Sequence, residues 1–249
     1  MKSLLVLPLA LVALSGCRAR TPAYTIEIID TSLSITPRAE KAAFDAVGDH
    51  IRHMERSDRL VVIPVTGDAE NDAGGHILHL EAPTVREAYD TDLRRFRTDA
   101  ERRFSLWASS PQLHGSQTDI LGALDTARQE LAAMPRGGRR ILAVASDFLE
   151  DDGQYRFISD RLLLSTKEAH GLAVRIQAAH SFHLHDVSIC LGRLESRDFV
   201  SLSPERREAV RTFWRDYLAI DSNVNVPDIR IDGTGMLGDL ERGCVNGTK

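Results

Sequence analysis

The chain has 249 residues, 43% of them hydrophobic, enough for one large domain or two small ones with a real core. Its formal net charge of −5 lacks the basic footprint of a general nucleic-acid binder, and no nucleic-acid partner is expected.

The first residues read as an export signal. Met1-Lys2-Ser3 gives a short positive start, and residues 4–14 are an unbroken apolar run. That run is too short to cross a bilayer as a helix, which needs ~20 apolar residues. It suits a signal-peptide core instead. It ends in Leu14-Ser15-Gly16-Cys17, which resembles the bacterial lipobox. The resemblance implies a signal peptide over residues 1–16, a lipidated Cys17 and a tether over 17–23; the alternative is an ordinary cleaved signal with an incidental cysteine. Several acyl chains on Cys17 suffice for stable membrane anchoring where one chain does not. By the same resemblance, Arg18 in place of a retention Asp implies a Gram-negative outer membrane, facing the periplasm. Cys190 and Cys244 could pair in an oxidising compartment. Alternatively, one is a buried strand thiol and the other lies near a loose C-terminus.

Residues 24–29 are the first predicted strand. Thr36-Pro37 opens a helix, because Thr caps and Pro is favoured at the first helical position. Phe44, Val47, Ile51 and Met54 give that helix one apolar face. Residues 59–65 (RLVVIPV) are apolar enough for a strand covered on both faces, with Pro64 a local irregularity near its end. Residues 67–75 form an acidic, Gly-rich loop, and 76–81 a short edge strand. Thr84-Val85-Arg86-Glu87 has the capping-box pattern and predicts a long helix to about residue 108. Arg94, Arg95, Arg97, Arg102 and Arg103 lie on its outer side. Acidic residues are interleaved with them, which reads as a solvated face.

A helix follows over 119–133, with Ile120, Leu124, Ala127 and Leu131 as its buried stripe. Residues 140–145 (RILAVA) are a core strand ending at Ser146-Asp147, and 148–157 an acidic loop. A second capping box, Ser165 to Glu168, opens a helix to about residue 181. Residues 187–191 are another core strand. Ser203-Pro204 opens a helix with Val210, Phe213, Trp214 and Tyr217 inward, and residues 224–231 are a last strand. Strands alternating with helices predict a doubly wound α/β fold, with a mostly parallel sheet flanked by helices. One domain is expected over 24–232, followed by a loose tail over 233–249.

In such sheets ligands bind outside the carboxyl ends of the strands. Asp30-Thr31-Ser32-Leu33-Ser34 leaves the first strand there. It carries a carboxylate and two hydroxyls on alternate residues, which point the same way in an extended segment. Oxygen-only ligands suit a hard cation. By itself the pentapeptide also reads as a Ser/Thr turn capping the next helix. Thr118 begins the helix before the RILAVA strand, and Asp147 follows that strand, so all three segments lie on one sheet edge.

The order D-x-S-x-S, then a Thr at a helix start, then an Asp after a buried strand resembles the metal-ion-dependent adhesion site of von Willebrand factor type A domains. The resemblance covers about residues 24–231. It implies that Asp30, Ser32, Ser34, Thr118 and Asp147 hold Mg2+, or else Mn2+ or Ca2+, with the hydroxyls as direct ligands and the carboxylates acting partly through water. It also implies a protein partner that offers an acidic residue to the metal, and hence a binding device rather than an enzyme. Thr31 and Leu33 depart from the glycines that many members carry in this loop, which bears on how closely a partner approaches.

Other chemistries are weaker. The chain has no Gly-x-Ser-x-Gly elbow and no Walker A loop. A metal-dependent periplasmic hydrolase would need a base such as His114 beside a metal-bound water. A structural envelope lipoprotein with a vestigial site is the third reading. His180, His183 and His185 cluster in sequence, but without the Cys or carboxylate pattern of structural zinc; His76 and His79 are weaker still.

Overall fold

The computed structural model describes residues 20–67, 76–179, 184 and 186–219. Among the described residues five strands form one sheet: β1 (Ala23–Asp30), β2 (Arg59–Val65), β3 (Leu78–Glu81), β4 (Arg139–Ser146) and β5 (Val187–Arg193). Their order across the sheet is β3-β2-β1-β4-β5. Strands β2, β1, β4 and β5 are parallel, and β3 is an antiparallel edge. The helices are α1 (Pro37–His53), α2 (Thr91–Ala108), α3 (Ile120–Ala133), α4 (Thr166–Ala179), α5 (Arg197–Ser201) and α6 (Pro204–Ala219). After β1 the chain builds outward through β2 and β3, then returns to place β4 on β1's other side. The point where that order reverses, between β1 and β4, is where an open α/β sheet leaves a crevice at its carboxyl edge.

Burial on both faces explains the sequence of β1, all of whose residues are buried. Ile26 and Ile28 turn to one side, into a core with Val144, Leu124, Ile176 and Phe213 from β4, α3, α4 and α6. Ile29 turns to the other, with Val47, Leu60 and Phe104 from α1, β2 and α2. Each such side chain contributes about 1.5–3 kcal/mol by leaving water. Phe213 anchors an aromatic cluster, with ring centroids 4.8 Å from Phe157 and 4.9 Å from Trp214. Pro64 lies beyond the stretch of β2 that pairs with β3, where no ladder partner waits on that side for the missing N–H.

Thr36 caps α1, accepting from the Ala39 N–H at 3.3 Å. The capping box at Ser165 forms as expected, with the Glu168 N–H 3.3 Å from Ser165 Oγ and that hydroxyl 3.2 Å from Glu168 Oε2. The box at Thr84 does not: α2 begins only at Thr91, after Tyr89 and Asp90 adopt left-handed backbone at φ 60° and 53°. Arg56 explains the delay. It holds Asp92 at 2.7 Å and Asp90 at 3.0 Å, and this tertiary ion-pair cluster displaces the local cap. The arginines of α2 are also less purely solvated than their pattern implies. Arg97 donates to the Met54 carbonyl at the end of α1, at 2.7 and 2.9 Å. Arg103 donates to the carbonyl of His79 at 2.9 Å. Helix α5 was not foreseen; Ser196 caps it, accepting from the Phe199 N–H at 3.0 Å.

Asp58 ties the amino ends of β1 and β2 together. Its buried carboxylate accepts from the backbone N–H groups of Ala23 at 2.8 Å and Glu55 at 2.7 Å, and from the Arg20 guanidinium at 2.8 and 2.9 Å. Asp58→Ala strands two backbone donors and is expected to lower unfolding stability by about 2–4 kcal/mol. Arg20→Ala, which removes a half-exposed partner only, should cost no more than ~1 kcal/mol. Urea unfolding of both variants checks the ranking; equal losses would refute this account of Asp58.

Candidate metal site

The carboxyl edge of the sheet brings three polar segments together. Asp30 is the last residue of β1 and is fully buried. Its Oδ1 accepts from the Ser32 N–H at 2.9 Å, which folds the chain back over the strand end. Its Oδ2 accepts from Ser146 Oγ at 2.6 Å, so the last residue of β4 holds the last residue of β1. Ser32 Oγ lies 3.0 Å from Ser34 Oγ, and Ser34 Oγ donates to Asp147 Oδ2 at 3.2 Å. Asp147, also fully buried, accepts at Oδ1 from the Leu149 N–H at 2.9 Å. Thr118 comes to the same place through backbone bonds with Asp151: its N–H donates at 3.0 Å and its carbonyl accepts at 2.8 Å. Ser32, Ser34 and Thr118 all line one cleft of about 230 Å³, with Leu33, Leu149, Asp151, Arg197 and Asp198 around them.

The five residues singled out in the sequence therefore converge: three hydroxyl residues on a cleft, two carboxylates buried beneath. Among the described residues no Lys, Arg or His pairs with Asp30 or Asp147. Hydroxyl donors over uncompensated carboxylates are a donor set that fits a hard divalent cation. The departures at Thr31 and Leu33 separate in role. Thr31 is buried and its hydroxyl donates to the Leu113 carbonyl, while the Leu33 N–H donates to the Gly115 carbonyl at 3.1 Å. The loop is thus strapped to the segment before Thr118, and the Leu33 side chain is left 69% exposed at the cleft.

Three partners of the site were not singled out beforehand. Ser146 was visible only as the neighbour of Asp147. The Ser196 hydroxyl, at the cap of α5, acts on Asp147 to favour its charged form. Phe148 has left-handed backbone at φ 64°, rare for a bulky residue. Its N–H donates to Ser146 Oγ at 2.9 Å, and its carbonyl accepts from Trp214 Nε1 at 2.8 Å. His114, the base named for the hydrolase reading, is not brought to the cleft. Its Nδ1 lies 3.2 Å from the Thr31 carbonyl and 3.3 Å from Glu40, outside the cleft lining. His79 pairs with Glu130 at 3.1 Å on the edge strand, far from the site in the fold. Cys190 is buried and disulfide-bonded. Its partner lies outside the described residues, as do Cys17, Cys244, His180, His183, His185, the strand expected at 224–231 and the C-terminal tail.

Burial raises both carboxyls. Asp30 sits above the usual carboxylate range chiefly through desolvation, which its bonds from Ser146 and Ser32 partly offset. Asp147 is pushed up to about 7 by burial and then by the charge of Asp30. A folded-state pKa above the unfolded one means that the native state holds the extra proton. The metal-free protein therefore loses stability as pH rises from about 4 through 7, the reverse of an ion-paired aspartate. The loss should amount to about 2–4 kcal/mol. Asp147→Asn, which cannot ionise, should flatten the slope and stabilise the metal-free chain at pH 8. Urea unfolding in chelator at pH 5.5 and 8 measures this; a steeper slope in the variant contradicts it.

No family model matches the chain, and no curated protein sequence matches it significantly. Several solved structures resemble it. An aerotolerance-related membrane protein from Bacteroides fragilis is 13% identical, with 90% of this chain and 98% of that one covered and a TM-score of 0.46. Proximal thread matrix protein 1 of the mussel byssus, solved with a zinc-occupied MIDAS motif, is 12% identical over 76% of this chain and 45% of that one, TM-score 0.39. A von Willebrand factor type A protein from Catenulispora acidiphila is 14% identical over 78% and 43%, TM-score 0.39. These likenesses are distant, and the fold is defined by the strand order, the antiparallel β3 edge and the gathering of the β1, α3 and β4 loops at one crevice. By that architecture, the described residues form a doubly wound α/β fold, a mostly parallel sheet flanked by helices with its polar loops at the carboxyl edge.

Proposed function

We propose that this chain is an exported, lipid-anchored binding module that engages a protein partner through a divalent cation, Mg2+ first and Mn2+ or Ca2+ as alternatives. The observation that carries the reading is the convergence of Ser32, Ser34 and Thr118 on one cleft above buried Asp30 and Asp147. The three hydroxyls would hold the cation, and the two carboxylates would balance its charge from below. When bound, the cation supplies an electrophilic position for a partner's Glu or Asp. Around that position the chain sets the approach: Leu33 offers an exposed apolar contact, and Arg197 and Asp198 line the opposite rim. His114, the base that the hydrolase reading would use, is not among the residues lining the cleft, which favours binding over turnover. Export and anchoring rest on the apolar run of residues 4–14 and the lipobox-like Leu14-Ser15-Gly16-Cys17; these also favour a site on the outer membrane facing the periplasm.

Calorimetric titration of the full chain should show Mg2+ or Mn2+ binding that Asp30→Ala abolishes. Affinity should fall by up to about tenfold for each pH unit below about 7, because a proton competes for Asp147. Equal binding by wild type and Asp30→Ala would sink the site.

Affinity purification from membranes should recover a partner that is lost on adding chelator and in Asp147→Asn. A partner retained in both cases would mean that the fold docks without its metal. Labelled palmitate should enter the wild-type chain and not Cys17→Ser.

A further inference from the structure

A second group of carboxylates lies just behind the first site. Asp119, Glu150 and Asp152 each bring one oxygen to within 4.8 Å of the others. The acidic loop of the sequence is thus partly turned inward. Glu150 is fully buried, and its Oε2 accepts from the N–H groups of Ile120 and Leu121, both at 3.2 Å, at the start of α3. Its Oε1 is equally buried and has no hydrogen-bond partner. Buried carboxylate oxygens are seldom left so, because desolvation without a partner is expensive. The charges acting on Glu150 are those of Asp119 and Asp152, and both disfavour its ionised form. Among the described residues no cationic side chain pairs with it.

We infer that Asp119, Glu150 and Asp152 form a second divalent-cation site of the Ca2+ class, distinct from the cleft of Ser32, Ser34 and Thr118. Two observations carry it: the mutual oxygen spacing and the unpartnered buried Glu150 Oε1. Oxygens within 4.8 Å of one another are close enough to share one ion. Three protein carboxylates suit Ca2+, which takes several carboxylate oxygens at about 2.3–2.6 Å, better than Mg2+, which dehydrates reluctantly and is usually held by one or two carboxylates. Asp119 and Asp152 also keep local duties. Asp119 Oδ1 accepts from the Gly122 N–H at 2.7 Å, and Asp152 Oδ1 from the N–H groups of Gln154 and Tyr155, both at 2.7 Å. Asp152 keeps its other carboxylate oxygen for the ion. Gly122 leaves room for the Asp119 carboxylate: a Cβ there would lie 2.2 Å from Asp119 Oδ2.

The position gives the ion a task. Asp119 directly follows Thr118, and Glu150 lies three residues after Asp147. The Thr118–Asp151 backbone pair runs between them. A cation here would clamp together the two segments that deliver Thr118 and Asp147 to the first site.

The inference does not depend on the first site holding metal, and the test separates the two. The full chain is stripped with chelator and titrated with Ca2+ by calorimetry, with Tb3+ luminescence as a second readout. Asp30→Ala, which disables the first site, should still bind one Ca2+ per chain. Adding Asp152→Asn, which keeps the Oδ1 acceptor but removes the charge, should weaken that binding about tenfold or more with the metal-free melting curve preserved. Glu150→Gln should weaken it likewise, and Asp152→Asn decides the matter if Glu150→Gln fails to fold. If only the first site fails, wild type binds a single Ca2+ that is indifferent to Asp30→Ala and sensitive to Asp152→Asn. Absence of Ca2+ binding in Asp30→Ala up to millimolar concentration, or binding unchanged by both Asp152→Asn and Glu150→Gln, overturns the inference.

Discussion

Two carboxylates, Asp30 and Asp147, are buried side by side where β1 and β4 end, and much of the local structure exists to keep them there. Burying like charges together is unfavourable, since neither is fully solvated and each raises the other's proton affinity. The fold answers with hydrogen bonds to both: Ser146 and the Ser32 N–H to Asp30, and Ser34 and the Leu149 N–H to Asp147. It adds no neutralising cation from its own described side chains. A site built this way trades stability in the metal-free state for readiness to accept positive charge from outside.

The supports of that pair reach deep into the domain. Phe148 must adopt left-handed backbone to let Asp147 turn down, and a bulky residue holds that conformation only when the surroundings over-determine it. Here Ser146 takes its N–H and Trp214 its carbonyl. Trp214 is in turn fixed by Phe213, Phe157 and Tyr217 in the aromatic cluster under α6. The last described helix is therefore a structural rest for the β4 loop. On the other side, Thr31 and the Leu33 N–H fasten the first loop to residues 113–115, so Thr31 serves packing where a glycine would leave the loop unstrapped.

Much of this was legible in one dimension because the signals are local. The period-two and continuous apolar runs of β1, β2 and β4, the Thr36-Pro37 start of α1 and the Ser165 capping box depend on neighbours within a few residues. Each element appears where its pattern places it. The Thr84 capping box has an equally good local pattern and fails. Arg56, some thirty residues away, pairs with both Asp90 and Asp92, and the chain there follows that ion-pair cluster instead of the local cap. The same holds for Glu150. An acidic run reads as solvated unless a helix start such as Ile120-Leu121 comes back to bury it.

The sequence by itself determined the types of side chain in the cleft, their order along the chain and the sheet edge on which they fall. Those follow from residue chemistry and from the rule that α/β sheets bind at their carboxyl ends. Only the tertiary structure decided that Asp30 and Asp147 lie under the serines without a cationic side chain among the described residues, that Thr31 is a strap while Leu33 faces outward, and that Glu150 is interior. The reason is that burial is a property of what packs against a residue. For these side chains the covering atoms come from segments tens of residues distant.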